Sequence, residues 1–128
     1  NWDTGNVVNM VCMFNGARSF NQPLNNWDTG NVASMSYMFE DARSFNQSLN
    51  NWDTGFVRWM SGMFCRARSF NQSLGDWDTS KVDNMDGIFH GARAHSSLDQ
   101  DLRSWDTRNV ERLTGQTLRE TLLSDPEE

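Results

Sequence analysis

Cys65 and His90 stand 25 residues apart, and a thiol beside an imidazole is the pair that nucleophilic catalysis or metal binding uses. Either chemistry needs more than two residues: a third group to orient the imidazole, or further ligands at fixed spacing. With 2 His, 2 Cys, one Tyr and neither a glycine-rich phosphate loop nor another catalytic signature, the chain is not expected to be an enzyme, and no cofactor or metal is expected. Two further series carry charge. Asp3, Asp28, Asp53, Asp78 and Asp106 recur as a column that can hold calcium, yet each precedes a Thr or Thr-Gly step where capping of backbone amides is the simpler use, and the first three lack further acids at calcium-ligand spacing. Arg18, Arg43, Arg68 and Arg93 recur as a column of guanidinium groups. Stacked cations repel, so they need acidic neighbours, carbonyls at helix ends, aromatic faces to lie on, or an anionic partner.

The element that positions all of these is a repeat. Trp2, Trp27, Trp52 and Trp77 fall at a strict interval of 25 residues; residues 2–26 and 27–51 share 18 identities in 25, and 52–76 matches 27–51 at 17 of 25. Such identity makes each unit one supersecondary element stacked on its copies. The fourth unit, 77–104, keeps Trp77, Asp78, Val82, Met85, Ile88, Phe89, Ala92 and Arg93 and carries an insertion around His95 to Ser97. A degenerate fifth unit and helical cap occupy 105–123, with Leu113, Leu118 and Leu122 on the shielding face, followed by an acidic tail at 124–128. The whole reads as one domain. No comparable cap precedes Trp2, which points to further chain or a docked partner on that side.

Within a unit, Val7, Met10, Met13, Phe14 and Ala17 fall at i, i+3, i+6, i+7 and i+10, the apolar stripe of a helix of about three turns. Phe20-Asn21-Gln22 reads as a turn, and Leu24 with Trp27 as an extended stretch that pairs with its copy in short parallel strands about 4.8 Å apart. Trp, Val, Met, Phe, Ala and Leu hold the same phase in every unit and are expected as core. The Asn-Gln pairs at 21/22, 46/47 and 71/72 are expected to satisfy backbone groups that no ladder reaches, although Asn46 and Asn71 also fit a glycosylation acceptor pattern. Cys12 and Cys65, two units apart and at different phases, are expected to remain free thiols.

The frame Trp27-Asp28-Thr29-Gly30-Asn31-Val32, Met35, Met38-Phe39, Ala42, Phe45-Asn46-Gln47 and Leu49 resembles the 25-residue repeat of BspA-type leucine-rich-repeat surface proteins, and the resemblance runs from 2 to 112. It implies an α/β fold, a right-handed leucine-rich-repeat-like solenoid of helix–turn–short-strand repeats. It also implies adhesion or protein recognition rather than catalysis, and favours the cell surface or extracellular space. A structural or linker subunit of a large membrane or organellar complex is the alternative.

Composition narrows the partner. The 128 residues carry 17 Asp+Glu against 11 Lys+Arg, a net charge of −6, which argues against nucleic-acid binding. No apolar stretch approaches the roughly 18 residues of a membrane span, so direct membrane insertion is not expected. The residues that break the frame on its polar side are the most informative: unit three puts Phe56 where Asn6 and Asn31 stand, Arg58 where Val8 and Ala33 stand, and Trp59 where Asn9 and Ser34 stand. Large apolar groups beside Arg are enriched at interface hot spots. Phe56, Arg58 and Trp59 are therefore the leading partner-binding candidates, with Arg66 and the column Arg18, Arg43, Arg68 and Arg93 behind them. The function read from the sequence is a non-catalytic recognition or scaffolding module with a protein partner.

Overall fold

A computed structural model describes residues 3–92, 103–110 and 122–123. The 25-residue units form coils laid one on the next: coil 1 (3–26), coil 2 (27–51), coil 3 (52–76) and coil 4 (77–92). The amides of Met10, Cys12, Phe14 and Gly16 in coil 1 donate to the carbonyls of Ser34, Ser36, Met38 and Glu40 in coil 2, at 2.9, 3.1, 2.8 and 2.8 Å. The amides between them stay at home, Met13 on Met10, Asn15 on Cys12 and Ala17 on Phe14, closing four-residue turns. The same alternation joins coil 2 to coil 3 through Met35, Tyr37, Phe39 and Asp41, and coil 3 to coil 4 through Met60, Gly62, Phe64 and Arg66.

This pattern overturns the expected right-handed leucine-rich-repeat-like α/β solenoid of helix–turn–strand repeats. An α-helix sends every interior amide back four residues; here alternate amides leave the coil altogether. The backbone also turns left-handed at every fourth position of the segment, at Cys12 and Gly16, Tyr37 and Asp41, Gly62 and Arg66, Gly87 and Gly91, with φ between 57° and 74°. A helix cannot propagate through such residues. Among the described residues, helix is confined to 103–104 and 122–123. The expected strands at Leu24 to Trp27 do not form either. Parallel pairing occurs elsewhere, as isolated bridges Asn9 to Ser34, Ser34 to Trp59 and Trp59 to Asn84. Most of the expected helical cap lies outside the described residues, while Leu122 is buried and its carbonyl accepts the Phe89 amide at 2.9 Å.

The apolar positions point inward as the frame requires, although by turns rather than by a helix. Phe14, Phe39, Phe64 and Phe89 form a ring column with centroids 5.4, 5.5 and 5.8 Å apart. Phe20, Phe45 and Phe70 form a second column, each ring stacked on its partner in the first at 4.5, 4.3 and 4.2 Å. Trp52, Trp77 and Trp105 flank them, and each indole N–H donates to the carbonyl of a leucine 28 to 31 residues earlier, Leu24, Leu49 and Leu74, at 2.9, 2.8 and 2.9 Å. The buried threonines bond in the opposite sense: the hydroxyls of Thr4, Thr29, Thr54 and Thr79 donate to the carbonyls of Asp28, Asp53, Asp78 and Asp106 in the following unit. At the turn, Asn21 Oδ1 accepts the Asn46 amide at 2.8 Å, and Asn46 Oδ1 accepts the Asn71 amide at 2.9 Å, so side chains stand in for a backbone ladder. Among the described residues no helix is long and apolar enough to cross a membrane.

Candidate interaction surface

Phe56 reaches the outside of coil 3 at the corner of the turn that the Val57 amide closes on the Thr54 carbonyl at 3.0 Å, and Arg58 points outward after the fully buried Val57. Trp59 follows on the bridge position, its backbone held by Ser34 on one side and Asn84 on the other. The indole and phenyl rings emerge on a backbone fixed from both neighbouring coils. Phe56 is 56% exposed and Trp59 40%. Each ring carries a cation: Arg58 lies over Trp59 at 5.0 Å, and Lys81 of coil 4 lies over Phe56 at 4.3 Å. Arg58 is further held by Asp83, Nη2 to Oδ2 at 3.2 Å.

Val8, 58% exposed, extends this patch into coil 1, where sequence reading did not place it. Asn6, Val8, Asn31, Ala33 and Phe56 line one shallow depression, with the small Ala33 as its floor between Val8 and Arg58. The signal was present in the column Val8, Ala33, Arg58, Asp83, but a valine reads as ordinary variation in an apolar repeat.

The second group of candidates gathers around coil 2. Arg43 Nε donates to Asp41 Oδ1 at 2.8 Å, Arg18 reaches the other oxygen of Asp41 at 3.5 Å, and Arg66 reaches Glu40 at 3.5 Å. The expected helix-end carbonyls are replaced by these carboxylates, because no helix ends there. Hydrogen bonding from Arg43 is the main influence that holds the Asp41 carboxyl below the ordinary carboxylate range; partial burial opposes it, and the charges of Arg43, Arg18 and Arg66 assist. Arg68 is exposed on coil 3, where Arg66 stands at the position that Asp41 fills in coil 2. Arg93 and the His95 to Ser97 insertion lie outside the described residues.

The Asp column caps turns rather than helices. Asp3, Asp28, Asp53 and Asp78 accept the amides of Gly5, Gly30, Gly55 and Ser80, two residues on, at 3.0 to 3.1 Å. The hydroxyl and amide of Ser80 lower the Asp78 carboxyl, and Arg108 lowers that of Asp106. Cys65 is buried with its Sγ 3.4 Å from Arg66 Nη1, and His90 Nδ1 lies 3.0 Å from the Leu123 carbonyl. Both cysteines are free thiols, Cys12 exposed and Cys65 buried. Among the described residues, no three His, Cys, Asp or Glu side chains converge as a metal site would need.

The chain matches a family described as Mycoplasma protein of unknown function, DUF285, in two overlapping stretches, residues 1–98 and 49–118. No curated protein and no solved structure matches it.

Proposed function

The chain belongs to the DUF285 family, and on that premise we propose that it is a non-catalytic recognition module whose working surface is the aromatic patch of coil 3. The observation that carries this reading is the paired exposure of Phe56 and Trp59, 56% and 40%, on a backbone otherwise arranged to bury its aromatics. Interface anchors are typically large rings backed by rigid structure and bordered by Arg, and Arg58 borders these. Resemblance of the frame to BspA-type surface repeats supports a protein partner met at a cell surface. Cys65 and His90 have no catalytic role in this reading, so a Cys65→Ser chain keeps its binding.

The test is affinity capture from the native source with the parent chain and a Phe56→Ser, Trp59→Ser chain in parallel, with folding of both verified. A defined protein retained by the parent and lost by the double variant supports the patch. Equal recovery by both would move the site to the arginines around Asp41.

A further inference from the structure

The chain carries a net charge of −6, yet one face of it is basic. Positions 15–19, 40–44 and 65–69 share one phase of coils 1 to 3 and hold Arg18, Arg43, Arg66 and Arg68 against the acids Glu40 and Asp41. The other acids of these coils are engaged at other phases: Asp3, Asp28 and Asp53 take the amides of Gly5, Gly30 and Gly55, and Asp76 takes the side-chain amide of Asn50. Glu40 and Asp41 do not saturate the arginines. Arg43 gives only its Nε–H to Asp41, Arg18 stands 3.5 Å from the same carboxylate, and Arg68 has no ion pair or hydrogen bond among the described residues. The side chains of Arg18 and Arg43 are 65% and 43% exposed. Each member of the column is followed by a serine, Ser19, Ser44 or Ser69, whose hydroxyl makes no hydrogen bond among the described residues. One position further on, Phe20, Phe45 and Phe70 stack with centroids 5.8 and 6.1 Å apart, which fixes the spacing of the arginine backbones from coil to coil.

We infer that this face is a second docking surface, distinct from the Phe56 and Trp59 patch, and that it takes a linear sulfated polysaccharide laid along the stacking axis. The charge of the face, opposite in sign to that of the whole chain, selects an anion. Its repetition from coil to coil selects a polymer whose charges also repeat, because a single small anion meets one or two arginines and leaves the others as they were. A sulfate ester presents several terminal oxygens, so one group can accept from two successive guanidinium groups and a neighbouring serine hydroxyl. An acidic peptide offers carboxylates, which Asp41 already supplies from within. A nucleic-acid strand needs rings on which its bases stack, but Phe45 and Phe70 are buried and the exposed Phe56 and Trp59 stand at another phase. Asp41 is the internal competitor. It holds Arg18 and Arg43 when the face is empty and yields their N–H groups to the polymer.

The probe is a short, fluorescently labelled dextran sulfate, titrated with the folded chain and followed by anisotropy across a series of salt concentrations. Arg43→Gln with Arg68→Gln is expected to weaken binding at least about tenfold and to reduce the slope of log Kd against log salt by about 1 to 2. Arg43→Lys with Arg68→Lys keeps the slope and loses part of the affinity, since an ammonium lacks the planar fork. Asp41→Asn, with its folding verified, binds more tightly than the parent. Arg58→Gln with Lys81→Gln, on the aromatic patch, leaves binding unchanged. A parent chain that does not bind dextran sulfate overturns the inference, as does a double Gln variant that binds like the parent or a patch variant that loses as much. Poly-glutamate or a single-stranded oligonucleotide of equal charge binding as tightly as dextran sulfate would assign the face to another class of partner and overturn it also.

Discussion

The ring of Tyr37 lies against Gly62, so close that a Cβ built on Gly62 would fall 2.6 Å from Tyr37 Cδ1. Both residues occupy the same left-handed phase of consecutive coils, φ 58° and 60°, and the glycine is what lets the tyrosine lie there. Gly62→Ala combines a left-handed Cβ with this overlap and is expected to destabilise the chain by between about 2 and 5 kcal/mol in urea unfolding. In the Tyr37→Ala background the overlap is gone, and the cost should fall to about 1–2 kcal/mol. A cost unchanged by removing the ring would show that backbone conformation alone is responsible.

Trp77→Phe keeps an aromatic ring beside Phe64 but deletes the indole N–H that reaches the Leu49 carbonyl at 2.8 Å. The Leu49 carbonyl keeps the Trp52 amide at 3.0 Å but loses its side-chain donor, at an expected cost of about 0.5–1.5 kcal/mol. Thermal unfolding of this variant beside the parent measures it, and an unchanged midpoint would mean that water replaces the indole.

Phe64 and Phe56 should respond oppositely to truncation. Phe64 is fully buried in the ring column, and Phe64→Ala is expected to cost about 3–5 kcal/mol. Phe56→Ser removes an exposed ring and is expected to change stability by less than about 1 kcal/mol. A large loss with Phe56→Ser would mean that the ring and Lys81 support the fold rather than face a partner.

Acid should loosen coils 1 to 3 through Asp41. Its carboxyl titrates below the ordinary range in the folded chain, chiefly because Arg43 hydrogen-bonds its charged form. The folded state therefore binds a proton at Asp41 less readily than the unfolded state does. The stabilisation is present above the unfolded carboxylate value of about 3.9 and is lost as pH falls through the lower folded value. Asp41→Asn should weaken the chain at neutral pH and flatten the acid limb of its stability profile. Denaturation followed from pH 7 to 2 gives both curves, and parallel limbs would show that Asp41 is not linked to folding.

Repeat length, the inward set and the amide ladder at Asn21 and Asn46 were legible in the sequence, because identical residues at a fixed interval must meet identical environments. The conformation of Met10 to Ala17 was not. An i, i+3, i+7 stripe serves both a helix and a chain of four-residue turns, since both bring every third or fourth residue to one side. Glycines 16, 62, 87 and 91 marked the difference, but Tyr37, Asp41 and Arg66 hold the same left-handed positions without glycine and hid the pattern. Exposure of Phe56 and Trp59 followed from their replacing Asn and Ser on the polar side. The arrangement of Arg18 and Arg43 on one carboxylate did not, because it depends on Asp41, which only one of the four coils carries.

The bonds between coils also fix how the chain bears load. They run along the stacking axis, so tension along that axis loads every interface in series, and the weakest gives way first. Every coil that peels away frees 25 residues, about 80 Å of contour, before the next is strained. Under force such a stack is expected to lengthen in coil-sized steps, absorbing work at each.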